Sequence, residues 1–246
     1  MRRVVVTGGG TGIGRAIAEK FAEDGSSVFI LGRRKDVLDR VVEENRERQI
    51  RAVACDLTRP DEVLRAAEEI ADDPVDVLVN NAGGIVKNGT TGLEGVFETY
   101  RRTIDANLLS AMMITEALWK SISRPGGRVV NISSIAAHRG GGAYGAAKAG
   151  LVNLTRTLAM EWAPAIRVNA VSAGMVRTEL FDDYYGGPEG AAAAEATVPM
   201  GRAASPSEIG DAVVFLASPL AGYVTGADLA VHGGGEAIAL HVILGH

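Results

Sequence analysis

Val4-Val5-Val6-Thr7-Gly8-Gly9-Gly10-Thr11-Gly12-Ile13-Gly14 runs from a β-branched apolar stretch directly into a glycine-rich turn, and Ile13, Ile17 and Phe21 then recur at helical spacing. A strand that ends in such a turn and opens a helix is the first half of a βαβ unit. The turn suits a diphosphate: without β-carbons the backbone approaches closely, and the helix N-terminus offers N–H donors and the positive end of its dipole. Gly8, Thr11, Gly12, Ile13 and Gly14 are the candidate contacts. The spacing is not the strict G-x-G-x-x-G, because Ile13 and Arg15 stand where the third glycine would fall. A merely flexible turn is the alternative, and the position between strand and helix weighs against it.

The same grammar repeats along the chain. Short β-branched runs at 3–7, 27–31, 51–54, 75–79, 128–132, 166–170 and 228–231 alternate with longer segments of helical spacing, of which Leu151, Leu154 and Leu158 mark one. Seven nearly continuous apolar runs joined by crossovers predict an α/β fold, a seven-stranded parallel sheet doubly wound with helices on both faces. No linker, repeat or low-complexity tract divides residues 1–246, so a single domain is expected. The glycine- and alanine-rich stretch 186–196 reads as a mobile excursion. In open α/β sheets the chemistry lies beyond the carboxyl ends of the strands.

Composition narrows the function classes. The 246 residues are 47% apolar and 22% charged, enough for one large core. Their 31 glycines show no Gly-X-Y period and there are only eight prolines, which excludes collagen and disorder. A net charge of −5 with scattered basic residues leaves no footprint for nucleic acid. Apolar stretches fall short of the ~18 residues of a membrane helix. The three-residue run after Met1-Arg2-Arg3 gives no signal peptide. The lone Cys55 cannot close an intrachain disulfide, and a cytoplasmic location is expected.

The strand ends carry the candidate site. The second strand closes in Leu31-Gly32-Arg33-Arg34, where an acidic residue would bind a ribose 2′-hydroxyl and an arginine a 2′-phosphate; a solvated basic helix start is the alternative for Arg33. Asp56, followed by Leu57, is placed either to accept from an adenine amino group or to cap a helix. Asn80-Asn81-Ala82-Gly83 ends the fourth strand and Asn131-Ile132-Ser133-Ser134 the fifth. Tyr144 and Lys148 follow four residues apart, on one helix face. A free phenol titrates near 10, and a neighbouring ammonium is expected to lower that value enough for acid-base work, with a serine hydroxyl holding the substrate oxygen. Either Ser133 or Ser134 fits that part by position. A tyrosine and lysine at this spacing are weak on their own and persuasive beside the glycine turn and the strand-end serine.

With those residues in view, the chain resembles the short-chain dehydrogenase/reductase family over nearly its whole length. The matching pieces are TGGGTGIG at 7–14, CDLT at 55–58, NNAG at 80–83, DANLL at 105–109, GRVVNISS at 127–134, YGAAK at 144–148, RVNAVSAGMVRT at 167–178 and TGADLAVHGG at 225–234. The resemblance implies a Rossmann-type fold and an NAD(P)-dependent oxidoreductase acting on CH-OH or C=O groups. It implies Tyr144 as acid-base, Lys148 on the nicotinamide ribose and tuning Tyr144, Ser134 orienting the carbonyl, and Asn107 supporting a water in a proton relay. It further implies that Asn80, Ala82, Gly83 and Gly174 line the cofactor and that Val176 and Thr178 meet its carboxamide. Arg33 points to NADP(H) in preference to NAD(H). No metal is implied.

The pattern is most similar to the 3-oxoacyl-[acyl-carrier-protein] reductase branch, so a 3-oxoacyl thioester is the first substrate expected for a ketone/secondary alcohol oxidoreductase. A polyol or sugar dehydrogenase, or a non-catalytic NADP(H)-binding regulator, are the alternatives. Three departures stand out: the interval from Ser134 to Tyr144 is short, Ala173 replaces a proline before Gly174, and His232 replaces an aspartate, where a packing role is expected. The short interval predicts an open cleft with His138 and Arg139 at its rim, and 179–200 is expected to cover the substrate. The resemblance also suggests a homotetramer, or a homodimer, joined through 105–119 and 147–158. The apolar tail 237–244 would reinforce that contact or close its own sheet edge.

Overall fold

A computed structural model describes residues 1–86, 91–122 and 126–235. Its strands and helices alternate: β1 (Arg3–Thr7), α1 (Gly12–Glu23), β2 (Ser27–Gly32), α2 (Lys35–Glu44), β3 (Ile50–Ala54), α3 (Pro60–Ile70), β4 (Val77–Asn80) and α4 (Gly92–Ile104). A π-helical turn (Asp105–Leu109) leads into α5 (Ser110–Ala117) and α6 (Trp119–Ile122). Then come β5 (Gly127–Ser134), α7 (Ala136–Arg139), α8 (Gly142–Trp162), β6 (Ile166–Ala173), α9 (Phe181–Tyr184), α10 (Pro188–Glu195), α11 (Pro206–Ala217) and β7 (Asp228–Val231). All seven strands are parallel, in the order β3-β2-β1-β4-β5-β6-β7. The order reverses between β1 and β4, and that reversal opens the crevice in which such sheets bind ligands.

Alternation along each strand sends neighbouring residues to opposite faces. Val4 and Val6 join Ile17, Phe21, Ile209 and Val213 in the core under α1 and α11. Val5 between them packs with Val63, Ile70, Ile114 and Val168 under α3, α5 and β6. Two fully covered faces explain why the strands read as apolar runs and not as alternating ones. The last helix is fixed by a capping box in which Ser205 and Glu208 bond each other's backbone amides.

Three strand boundaries differ by two residues or more from the sequence reading. The runs at 128–132 and 166–170 extend to Ser134 and Ala173, because the polar Asn131, Ser133 and Ser172 find partners inside the fold: Asn131 Nδ2 donates to Thr155 Oγ1 on α8 (2.8 Å) and Ser172 Oγ to Asp228 Oδ2 on β7 (3.0 Å). The run at 75–79 enters the ladder only at Val77, since the amides of Val75 and Asp76 donate to the carbonyls of Ser121 and Arg3. The excursion 186–196 contains α10, whose alanines favour helix and whose Pro188 sits in the first turn. Asn107, an ordinary mid-helix asparagine by pattern, lies in the π-helical turn. The tail 237–244 lies outside the described residues. No described helix is long and apolar enough to cross a membrane.

Candidate active site

The glycine turn is shaped by close approach. The Gly8 amide donates to Leu31 O (2.7 Å), hooking the turn to the end of β2. A β-carbon on Gly14 would stand 2.2 Å from the Gly8 carbonyl oxygen, and one on Gly8 would stand 2.8 Å from Asn81 Nδ2, so both positions need glycine. Asn81 Nδ2 donates to Thr7 O (2.9 Å) and Gly8 O (3.3 Å), while Thr7 Oγ1 accepts from the amides of Asn81 and Ala82. These bonds clip the ends of β1 and β4 together. The motif reading quoted Asn81 without giving it this part.

The turn leaves donors free at the head of α1. The Ile13 and Gly14 amides donate to no protein atom among the described residues, and Thr11, at the N-cap, makes no side-chain cap bond. Gly12 N donates to Glu179 Oε1 (3.1 Å), which reaches over from beyond β6 beside Thr178. No sequence pattern had pointed to Glu179. Arg33, exposed at the end of β2, makes no hydrogen bond or ion pair among the described residues and lies within electrostatic reach of Asp56. Asp56 takes the turn-forming role: its Oδ1 accepts from Thr58 N (3.0 Å) and Oγ1 (2.7 Å). Burial raises the Asp56 pKa, but the Thr58 bonds and Arg33 outweigh it and hold it below its ordinary value.

Two expected cofactor contacts turn inward instead. The Asn80 side chain is buried and donates to Thr115 Oγ1 and Asn131 Oδ1, both at 2.8 Å. Leu57 packs in the core with Val53 and Val63. Polar partners inside the fold claim the Asn80 side chain, and apolar ones claim that of Leu57. Ala82 and Gly83 stay at the surface of the crevice.

The structure brings Ser134, Tyr144 and Lys148 together and separates the two serines. Ser133 is buried and donates to Lys148 O (3.2 Å), whereas Ser134 accepts from Ala136 N (3.2 Å) and lies near enough to the Tyr144 phenol to act on its titration. Lys148, 3% exposed, donates from Nζ to Ile132 O (2.8 Å) and lies 5.7 Å from the Tyr144 ring centroid. Burial pushes the Lys148 pKa down to about 8. The expected depression of the Tyr144 pKa is not found in the chain by itself: burial raises it, Ser134 opposes, and Tyr184 adds to the rise. Asn107 is fully buried, donating to Gly84 O (2.9 Å) and Thr103 O (3.0 Å) and accepting from Gly84 N (2.8 Å). Its side chain therefore clamps the loop after β4.

A cleft of about 370 Å³ opens beside Ser134 and Tyr144, walled by Ile85, Ile135, Ala143, Met175, Tyr184 and Tyr185. The two tyrosines come from the 179–200 segment, which therefore does border the cleft. Arg177 organises that segment by pairing with Asp182 and Glu195 and stacking on Phe181. Gly174 donates to Val231 O (3.0 Å), and a β-carbon there would come within 2.7 Å of the Cα and Cβ of His232, so that residue packs against Gly174. Val176 bridges to Ala204, and Thr178 lies against Gly12. Arg139 lines the cleft, but His138 does not: its Nε2 contacts Asp228 Oδ2 (2.8 Å) on the edge strand.

The buried ammonium has a measurable signature. Between pH 8 and the ordinary lysine range the unfolded chain binds more protons than the folded one, so this destabilisation is full below pH 8 and fades as pH rises. The wild type is expected to gain Tm relative to Lys148→Met between pH 8 and 10. A difference in Tm that stays flat over that range, measured by calorimetry, sinks the assignment.

Comparison with known proteins agrees with this architecture. The family described as Enoyl-(Acyl carrier protein) reductase matches residues 8–236. The 3-oxoacyl-[acyl-carrier-protein] reductase FabG of Aquifex aeolicus is 36% identical over 240 residues, covering 94% of this chain and 95% of that protein. The galactitol 2-dehydrogenase (L-tagatose-forming) of Cereibacter sphaeroides is 36% identical over 237 residues, covering 93% and 92%. The solved structure of a short-chain type dehydrogenase/reductase from Mycobacterium ulcerans matches with a TM-score of 0.87 at 32% identity, covering 99% of this chain and 94% of that one. Topology, crevice and relatives converge: the chain belongs to the short-chain dehydrogenase/reductase family of oxidoreductases, which bind NAD(P)(H) and act on CH-OH or C=O groups.

Proposed function

We propose that this protein is an NADPH-dependent reductase of ketones, reversible toward the secondary alcohol, with 3-oxoacyl thioesters as the first substrate class to test. The observation that carries the reading is the Ser134–Tyr144 pair at the wall of a mostly apolar cleft, with a buried Lys148 behind it. The glycine turn fits a dinucleotide, since a β-carbon on Gly14 would strike backbone and the Ile13 and Gly14 amides lack partners among the described residues. When bound, the nicotinamide supplies the hydride. The chain's own groups do the rest. Ser134 holds the carbonyl oxygen. Tyr144, kept protonated at neutral pH by burial, donates to that oxygen as negative charge develops. Lys148 offers its remaining donors to the ribose hydroxyls, and Asn107 fixes the loop that carries Gly83 and Gly84.

The lining supports the ketone reading over the polyol one. A polyol or sugar needs several polar partners, and the cleft walls are largely apolar. A non-catalytic regulator would leave the Ser134, Tyr144 and Lys148 cluster without a task. Arg33, exposed just past β2 and in no ion pair among the described residues, favours a 2′-phosphate and so NADP(H) over NAD(H). A cytoplasmic location suits the free, buried Cys55 thiol. We also propose assembly as a homotetramer. Leu151 and Val152 in 147–158 are already buried within the chain, while Leu109 and Met112 in 105–119 are exposed, and Leu93, Val96 and Phe97 continue that apolar surface along α4.

Three measurements test these statements. Tyr144→Phe should lower kcat about 10²–10⁴-fold with little change in cofactor affinity, and near-normal turnover would overturn the proposed acid. Arg33→Ala should raise KM for NADPH about ten- to a hundredfold and leave KM for NADH nearly unchanged; equal responses refute the 2′-phosphate assignment. Glu179→Gln removes a negative charge from the head of α1, where a diphosphate is to be held, so NADPH should bind roughly two- to tenfold more tightly by fluorescence titration. Unchanged or weaker binding would show that Glu179 does not compete.

A further inference from the structure

Arg139 is the one charged side chain among the described residues that line the cleft, and the chemistry assigned above makes no use of it. It ends α7, a four-residue helix held to the edge strand by the contact of His138 with Asp228, so its backbone is anchored. Burial and Tyr184 push the Tyr185 phenol up and Arg139 opposes them, which places the guanidinium within electrostatic reach of that wall. No carboxylate lines the cleft among the described residues, and most of its surface would repel an ion. A guanidinium presents a planar fork that matches a carboxylate in two parallel hydrogen bonds.

We propose that the preferred substrate is a ketone with an apolar body and a terminal carboxylate, and that Arg139 is the residue that selects for the carboxylate. The inference rests on the carbonyl-reductase reading and names the substrate class of the same cleft. The apolar body lies along Ile85, Met175 and the two tyrosines, and the acid reaches the end of α7. Arg139 already makes a contact within the chain, which an incoming carboxylate shares or replaces. In the reaction the hydride joins the carbonyl carbon, the Tyr144 proton joins its oxygen, and the carboxylate leaves unchanged.

The test uses the full chain with NADPH and paired substrates: 5-oxohexanoate, 7-oxooctanoate and 4-acetylbenzoate, each beside its methyl ester. Wild type should favour at least one acid over its ester about ten- to a hundredfold in kcat/KM, the size of one charge-assisted pair. Arg139→Gln should erase that ratio, mainly through KM for the acid, and Arg139→Lys should restore part of it. No preference for any acid, or a preference that survives Arg139→Gln, overturns the proposal. Should no ketone be reduced, the activity reading fails and calorimetric binding to the NADP⁺-loaded protein decides the inference separately. Tighter binding of an acid than of its ester, lost in Arg139→Gln, supports it, and equal binding overturns it. Arg139 is exposed, and matching melting curves establish that the variants fold.

Discussion

The carboxyl edge of the sheet depends on two stretches of backbone meeting more closely than any side chain permits, at Gly8 and Gly14. That contact seats the head of α1 on the end of β1 and leaves its first amides facing the crevice. The same Gly8 carbonyl accepts from Asn81, which clips β4 to β1. Next to Asn81, Asn80 donates to Asn131 on β5, and Asn131 donates to Thr155 on α8. Since α8 also carries Tyr144 and Lys148, a continuous chain of buried polar bonds runs from the glycine turn to the acid-base helix. Polar groups of this kind are tolerated in the core where they find partners, as the donors in this series of bonds do, while the Asn80 Oδ1 has none among the described residues.

Lys148 shows what such positioning demands. Its ammonium is enclosed, and the Ile132 carbonyl is the acceptor the described residues provide. A cation in that setting weakens the folded state, and the depressed pKa is the same fact expressed as proton affinity. The chain retains it where Ser133 ties the backbone of α8 to β5, so the residue that destabilises the fold is also held from two sides. Sites that act on protons are where this conflict between stability and chemistry is expected.

Much of the fold and of this cluster was legible in the sequence, for identifiable reasons. Sheet and crossovers follow from apolar periodicity, which burial on both faces makes almost continuous at Val4-Val5-Val6. Tyr144 and Lys148 were legible because four residues make one helical turn. Periodicity fails where polar side chains replace apolar ones inside the sheet, and so the ends of β5 and β6 were placed short. Alanine-rich α10 lacks an apolar stripe and was taken for a loop. Glu179 and Arg177 act through contacts distant in sequence, such as the 167 residues between Gly12 and Glu179, which no local pattern encodes. The inward turn of Asn80 and the clamping by Asn107 likewise depend on neighbours that only the folded chain supplies.

The contact between His138 and Asp228 gives the short interval after β5 a mechanical meaning. Asp228 begins a four-residue strand that is paired on one side among the described residues, and its Oδ2 also accepts from Ser172. Edge strands are where a sheet first frays. Here fraying at β7 is not a local event, because the pull passes through His138 into α7 and so to the Ser134 turn, whose Oγ accepts from Ala136 N. The outermost strand thus serves as a tensioning cord for the serine that faces the tyrosine, and whatever steadies that edge also steadies the reacting geometry.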